Sequence, residues 1–195
     1  KQPFDLPPKI DGSAKYGIDV FVPNMVYAIP LQNPTRIGSI PKTVDESAAK
    51  KIDGYVGVYV DKNGHRNVNT GYVVAIGETY WAAEKASKAL KVDWDLGENK
   101  NVSSKTIRDE SIRLQKNPND GFLWVLEGDT EKGMKNAANK HTAVYETAIA
   151  YHGCMEPMNC VVYEKDGIWH IHGANQSASF TPAVVGGAIG VDSDK

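Results

Sequence analysis

The chain has 195 residues, 41% of them apolar and 24% charged, which is the composition of a folded globular protein. Its 22 basic and 24 acidic residues give a formal net charge of -2, so the sequence predicts neither a nucleic-acid partner nor an anionic membrane surface. No run of roughly 18 apolar residues occurs, which predicts no membrane span, and the first residues do not form a signal peptide.

The first quarter combines prolines with a few local signals. Three prolines among the first eight residues predict an extended linker over residues 1–12, because each removes a backbone donor and restricts the preceding residue. An apolar run predicts a strand over 25–29. Thr43 and Glu46 have the spacing of a capping box, which predicts a short helix over 45–51.

The next segment alternates strands with a helix. β-rich runs predict strands over 55–60 and 72–76, joined by a loop with an Asn-Gly turn signal at 63–64. Thr79 is placed to cap a helix whose alanines recur on one face at helical spacing. A strand is predicted over 91–94 after that helix.

The second half is more polar, and turn-forming residues between Gly97 and Gly121 predict a domain boundary there. Met134, Ala137 and Ala138 are expected on the inner face of a short helix. An Asp-Gly step at 166–167 sets a hairpin. The predicted elements are helices over 106–115 and 129–139, a strand over 141–150, a hairpin over 161–171 and a helix over 177–189.

Two cysteines, Cys154 and Cys160, are too few for a disulfide framework and lack the paired spacing of a structural zinc site. We expect two unpaired thiols, largely buried. A local disulfide would require an oxidising compartment.

Two histidines, His170 and His172, are two positions apart in a predicted strand, so both side chains point to the same face. Strand ligands of a metal can be arranged in this way, with Glu156 or His152 as a third ligand. The favoured interpretation is that they form the more polar face of a partly exposed strand.

Glu156 and His152 would form an acid/base pair only if the intervening residues bend back, and packing or a backbone hydrogen bond is the favoured role. His65 and His141 have no acid or nucleophile nearby in sequence. The glycine-rich run 186–190 lacks the spacing of a phosphate loop or a dinucleotide fingerprint, and we interpret it as close helix packing.

The order of several segments resembles the xanthine dehydrogenase and aldehyde oxidase family, in particular large subunits of the isoquinoline 1-oxidoreductase type, also described as aldehyde dehydrogenase. The first group of matching segments is 11–19 (DGSAKYGID), 25–28 (MVYA), 80–83 (YWAA) and 90–94 (LKVDW). The second group is 128–129 (GD), 145–146 (YE), 151–152 (YH), 155–160 (MEPMNC), 166–167 (DG), Trp169 and Gln176.

The resemblance implies an α+β fold in which a linker over 1–12 leads into an α/β hammerhead domain over 13–115. The N-terminal part of an α+β molybdopterin-binding domain then covers 116–195 and is incomplete. In this family the large subunit carries a molybdopterin, usually the cytosine dinucleotide form in bacteria, and inserts oxygen from water into a C–H bond. Electrons leave through iron-sulfur clusters, often on a small subunit.

Gln176 is the one residue that the resemblance assigns to the cofactor, since it matches a glutamine whose amide approaches the molybdenum's oxo ligand. A Pro-Thr pair commonly precedes that glutamine, whereas this chain has Ala174 and Asn175. The family's Gly-Gly-Gly-Phe-Gly segment and its catalytic glutamate are expected beyond Lys195. We therefore expect a fragment that contains no catalytic residue or metal ligand, binds no cofactor alone, and needs the remainder of its subunit.

The alternative is a self-contained α+β binding or interaction module without catalysis. A third hypothesis is a small metal-binding protein built on His170 and His172. Members of the isoquinoline branch are frequently exported, so the resemblance suggests a periplasmic location, while the substrate is set by loops outside these residues.

Overall fold

The structure is a computed structural model that describes residues 5–62, 70–117, 120–125, 127–148, 150 and 153–192. The chain divides into two compact units, one formed by residues up to Lys100 together with those from Cys154 on, and the other by Asn101–Gly153. The helices are α1 (Leu6–Asp11), α2 (Tyr80–Ala89), α3 (Ser104–Gln115), α4 (Thr130–Asn136) and α5 (Thr181–Ile189). The strands are β1 (Tyr27–Pro30), β2 (Ile40–Asp45), β3 (Tyr55–Asp61), β4 (Tyr72–Gly77), β5 (Lys91–Asp95), β6 (Cys160–Lys165) and β7 (Ile168–Gly173).

The first unit is built on an antiparallel three-stranded sheet with the order β1-β4-β3. β4 is the central strand, and its Val73 and Ala75 are completely buried, while Val74 between them is partly exposed. This alternation is that of a strand with one face on a core. The core residues are Ala49, Val73, Ala75, Ala86 and Leu90.

Helix α2 packs on this sheet through a face of alanines, and its prediction is confirmed. Thr79 caps the helix, since its hydroxyl accepts a hydrogen bond from the Ala82 amide at 3.1 Å. Ala83 and Ala86 are fully buried, so the helix axis lies close to the strands. Gly77, the last residue of β4, allows this approach because a Cβ there would lie 2.5 Å from the Ala83 nitrogen.

The strands predicted over 25–29, 55–60, 72–76 and 91–94 are confirmed within a few residues, and so is an overall mixture of helices and small sheets. The turn predicted at 63–64 and His65 lie outside the described residues. The hammerhead assignment and the domain limits remain predictions. Within the described part of the chain, no helix is long and apolar enough to cross a membrane.

The helix predicted over 45–51 is wrong. Residues Ile40–Asp45 form a strand that pairs antiparallel with β5, and only Ala49–Lys51 makes a short 3-10 turn. The supposed cap at Thr43 lies within the strand, opposite Asp93. The β-branched residues of this stretch find a partner about fifty positions away, and tertiary pairing therefore overrides the local capping signal.

The linker predicted over 1–12 is also wrong in part, because Leu6–Asp11 is helical. Pro7 and Pro8 lie in its first turn, where the missing backbone donors have no helical acceptor to lose. Gly12 ends the helix in the left-handed conformation, with φ of 78°.

The second unit contains α3 and α4, as predicted. Ser103 and Asp129 cap them by accepting hydrogen bonds from the amides of Thr106 and Lys132 at 3.2 and 2.9 Å. The prediction that Met134, Ala137 and Ala138 face inward is wrong, since all three are exposed. The strand predicted over 141–150 is also not formed, because no described strand pairs with the described residues of that stretch.

The β6–β7 hairpin is confirmed, with Cys160 opposite Gly173 and Lys165 opposite Ile168. Asp166 and Gly167 both have positive φ, 55° and 79°, as a two-residue hairpin turn requires. Gly167 provides this conformation without strain.

Helix α5 is shorter than predicted and ends at Gly190 in the left-handed conformation. Within the glycine run, Gly186 is buried, but a Cβ at Gly187 would meet no atom within 4 Å. Close packing therefore does not explain Gly187. Both cysteines are free, as expected, but both are exposed, so the prediction of buried thiols is wrong.

A pH-dependent hydrogen bond joins Glu46, in the turn before β3, to Tyr55 in that strand. Glu46 accepts hydrogen bonds from the Tyr55 hydroxyl and from Lys50, both at 2.8 Å. The Lys50 ammonium, followed by the Tyr55 hydroxyl, lowers the pKa of the Glu46 carboxyl. Burial, followed by the same carboxylate, raises the pKa of Tyr55 to about 12.

Replacing Glu46 by glutamine should destabilise the protein at about pH 7 and have little effect at about pH 3. The pKa of Glu46 is lower in the folded state, so its contribution is present above the ordinary carboxyl pKa and is lost as the pH falls through the folded value. Urea unfolding of both proteins at the two pH values measures this. The exposed Glu98→Gln variant is the control, and an equal loss at both pH values for Glu46→Gln would contradict the prediction.

Candidate functional site

An open cleft lies where the short 3-10 turn Gly17–Asp19 meets the β6–β7 hairpin. Its volume is about 390 Å³. Its walls combine charged, phenolic and imidazole groups with apolar ones and the hairpin backbone. The lining residues are Lys15, Tyr16, Gly17, Val20, Glu156, Ile171, His172, Gly173 and Ala174.

Asn159 organises one wall of the cleft. Its side-chain amide donates to Glu156 Oε1 at 2.9 Å and to the Pro157 carbonyl at 2.8 Å, and both bonds hold the loop that precedes β6. Its carbonyl oxygen, Oδ1, is buried and has no hydrogen-bond partner among the described residues. Gly17 lies directly against this oxygen, because a Cβ there would be 2.4 Å from it.

Replacing Gly17 by alanine should lower the free energy of unfolding by about 1–2 kcal/mol, because the new methyl group collides with Asn159 Oδ1. In an Asn159→Ala background the same change should cost much less, since the obstructing side chain is gone. Chemical unfolding of the four proteins in this double-mutant cycle measures the coupling. Equal costs in both backgrounds would show that the two residues are not in contact.

The two strand histidines share one face, as predicted, and they stack on Tyr163. The centroid of the Tyr163 ring is 4.9 Å from that of His170 and 5.7 Å from that of His172, and in each pair the two rings are nearly parallel. The Tyr163 hydroxyl lies 3.4 Å from His172 Nε2. The described residues contain no group of three metal-ligating side chains, so His170 and His172 have no described companion for a metal.

Gln176 lies in a bend just after β7 and is exposed. Asn175 Oδ1 accepts a hydrogen bond from the Ser177 amide at 2.9 Å, and this turn brackets Gln176. The Gln176 amide makes no hydrogen bond with another described residue, so its donor is free for a ligand. The cleft reaches Ala174, two residues earlier, but Gln176 does not line it.

His152, one member of the predicted acid/base pair, lies outside the described residues. Glu156 lines the cleft and is engaged by Asn159. His141 is exposed. The sequence analysis missed the contact between Gly17 and Asn159, and neither residue carries a local signal for it. The arrangement is suited to binding polar groups.

Comparison with known proteins gives two clear sequence relationships, while no protein-family model matches. Over 172 residues, 88% of its length, the chain is 38% identical to a protein of Gluconacetobacter polyoxogenes named membrane-bound aldehyde dehydrogenase (pyrroloquinoline-quinone). Over 98% of its length it is 27% identical to isoquinoline 1-oxidoreductase subunit beta of Brevundimonas diminuta. The chain spans 22% and 24% of the lengths of these relatives.

Solved structures similar to this chain include two that match about half of it. The Cu,Mo-CO dehydrogenase covers 49% of this chain and 15% of its own, with a TM-score of 0.37 and 15% identity. Quinoline 2-oxidoreductase from Pseudomonas putida 86 covers 47% and 15%, with a TM-score of 0.36 and 14% identity. At these scores the structural likeness adds nothing to the two sequence relationships, which together extend over nearly the whole chain. The two sequence relationships support the xanthine dehydrogenase/aldehyde oxidase family for this chain.

Proposed function

We propose that this chain is part of the large subunit of a molybdenum hydroxylase that oxidises an aldehyde or an N-heteroaromatic substrate with water as the oxygen source. The observation that carries the proposal is the 38% identity, over 88% of the chain, to a relative named as an aldehyde dehydrogenase. The relationship to an isoquinoline 1-oxidoreductase supports the same reaction class with a heteroaromatic substrate. Because the chain spans only 22% and 24% of these relatives, the activity is assigned to the complete subunit.

Within that subunit, residues of this chain serve as a scaffold, and none is assigned a catalytic role. The β6–β7 hairpin after Asn159 leads directly into the segment that holds Gln176. The proposed partners are the remainder of the subunit and a small subunit with iron-sulfur clusters. The 195-residue chain alone is expected to be inactive.

Gln176 is the residue of this chain proposed to contact the cofactor. Its side-chain amide is exposed and makes no hydrogen bond with another described residue, so the donor chemistry fits an oxygen-bearing metal centre. When bound, molybdenum in its pterin, proposed here as the cytosine dinucleotide form, supplies oxygen transfer and two-electron oxidation. The amide would help to orient that group.

The cofactor can be identified directly, because the name of one relative gives a different group from the one proposed here. The Gluconacetobacter relative is named for pyrroloquinoline quinone, whereas the proposal here is molybdenum. Elemental analysis and quinone extraction of the purified complete subunit separate the two. About one molybdenum per subunit without quinone is expected, and quinone without molybdenum would overturn the proposal. A subunit with neither group that still folds would favour the binding module.

Replacing Gln176 by alanine in the complete subunit should reduce its molybdenum content or its turnover by about tenfold, as is usual when a group that orients a metal site is removed. Elemental analysis measures the first quantity and substrate-saturated turnover the second. The matched control is Gln115→Ala, at an exposed glutamine of α3, which should change neither. A Gln176→Ala subunit with the control's metal content and turnover would remove Gln176 from the site.

A further inference from the structure

The unit Asn101–Gly153 has almost no interior of its own. Among its described residues, only Ile112 is partly buried, all the others are exposed, and none is fully buried. A stretch of this length that buries so little apolar surface cannot offset the entropy of ordering its backbone. Its order must therefore come from contacts with something outside the residues described.

Large apolar side chains of this unit are presented to solvent. Phe122 is 80% exposed and Trp124 is 87% exposed, although their rings touch edge to face at 5.3 Å. Val144 and Tyr145 are 72% and 90% exposed. Aromatic side chains bury roughly 150–250 Å² each when they pack, and exposing several of them on one unit is a mark of an interaction surface.

Residues 141–148 combine a strand sequence with an unpaired backbone. The segment is rich in Thr, Val and Tyr and alternates as a strand does, yet no described residue forms a ladder with it. Its described backbone groups also make no hydrogen bond to the backbone of another described residue. Such a row of free donors and acceptors is a template for a further strand.

The segment is nevertheless held in place from one side. Arg108 of α3 forms a two-pronged ion pair with Glu146, with Nε–Oε1 and Nη2–Oε1 distances of 2.9 and 2.8 Å. This ion pair neutralises the Glu146 carboxylate and uses none of the backbone hydrogen-bonding groups of residues 141–148. The backbone edge stays open for pairing.

We propose that residues 141–148 form a β-strand with a strand from the remainder of the same large subunit, and that Phe122 and Trp124 pack against that part. This inference rests on the proposed function, because the partner lies in the longer subunit. The lengths of the relatives indicate where the partner strand lies. The two relatives align with 88% and 98% of this chain, but the chain accounts for only 22% and 24% of their lengths, so most of the subunit is available to supply the strand. An isolated strand is unstable, so the missing neighbour must come from elsewhere in the molecule.

Hydrogen exchange with residue-level fragmentation, applied to the complete subunit, tests the pairing. Alternate amides within 142–148 should exchange at least about tenfold more slowly than in the 195-residue chain, because a strand paired on one edge bonds every second amide. The amides of β4 serve as an internal reference, since they are paired within this chain. Equally fast exchange of 142–148 in both proteins would overturn the proposal.

A second copy of the chain is the competing occupant. Protection of 142–148 in the 195-residue chain that increases with protein concentration, together with dimers in sedimentation, would overturn the proposal in favour of self-pairing. Adjacent proline variants give a second measurement on the complete subunit. Val144→Pro and Tyr145→Pro should lower the melting temperature by clearly different amounts, because only one of the two amides faces the partner strand. Two equally harmless variants would also overturn the proposal.

Failure of this inference is separate from failure of the proposed function. A complete subunit that contains molybdenum but leaves 142–148 unprotected overturns the strand pairing alone. A subunit with protected amides and no molybdenum overturns the function alone.

Discussion

Replacing Gly77 by alanine is expected to lower the free energy of unfolding by about 3 kcal/mol, at the upper end of what overpacking usually costs. The added Cβ would lie 2.5 Å from the Ala83 nitrogen and 3.0 Å from both the carbonyl carbon and the Cβ of Ala82. These are mostly backbone atoms of the first turns of α2, which cannot move aside as a flexible side chain would. The helix must retreat from β4, and the alanine contacts beneath it are lost. Urea unfolding followed by far-UV circular dichroism measures the change.

Gly57 provides the matched control for this prediction. It lies in the neighbouring strand β3, where a Cβ would meet no atom within 4 Å. Gly57→Ala should therefore change stability by no more than about 0.5 kcal/mol, or increase it slightly by restricting the unfolded chain. If both variants were equally stable, α2 would not lie as close to β4 as described.

Replacing Val73 by alanine should cost about 2 kcal/mol, because two buried methyl groups are removed and a small cavity remains. Val73 is among the largest fully buried side chains and lies at the centre of a core that consists mostly of alanines. The short alanine side chains around Val73 cannot move far enough to fill the cavity that the substitution leaves. Thermal and urea unfolding both measure the loss.

The control for the core substitution is Val56→Ala in β3, where the side chain is half exposed. It should cost well under about 1 kcal/mol, since little apolar surface is returned to water. Similar losses at Val56 and Val73 would contradict the assignment of the core to the inner face of β4.

Elements with short-range signals were predicted well from sequence. Thr79 with its alanine face and the turn at 166–167 both act within a few residues, so the pattern and the structure agree. The strand Ile40–Asp45 was missed because its partner is β5, and no local pattern reports a pairing across fifty residues. The strand predicted over 141–150 had the right alternation, but alternation cannot supply a partner.

The candidate site was predictable to a lesser extent. Gln176 was assigned by resemblance alone, and its exposed amide is compatible with that role. The contact between Gly17 and Asn159 joins positions more than a hundred residues apart, and the residues around each position carry no signal for it. The positions of the cysteines were misjudged because thiols are usually buried, whereas here they flank an open loop before β6.

The proposal that the complete protein is a molybdenum hydroxylase predicts that its activity depends on this metal. Cells expressing the complete subunit with its small subunit would be grown with molybdate or with tungstate, and oxidation of an aldehyde and of an N-heteroaromatic compound would be measured at equal protein. Activity with molybdate that is lost with tungstate is the expected result. Equal activity under both conditions, restored after dialysis by pyrroloquinoline quinone, would contradict the claim.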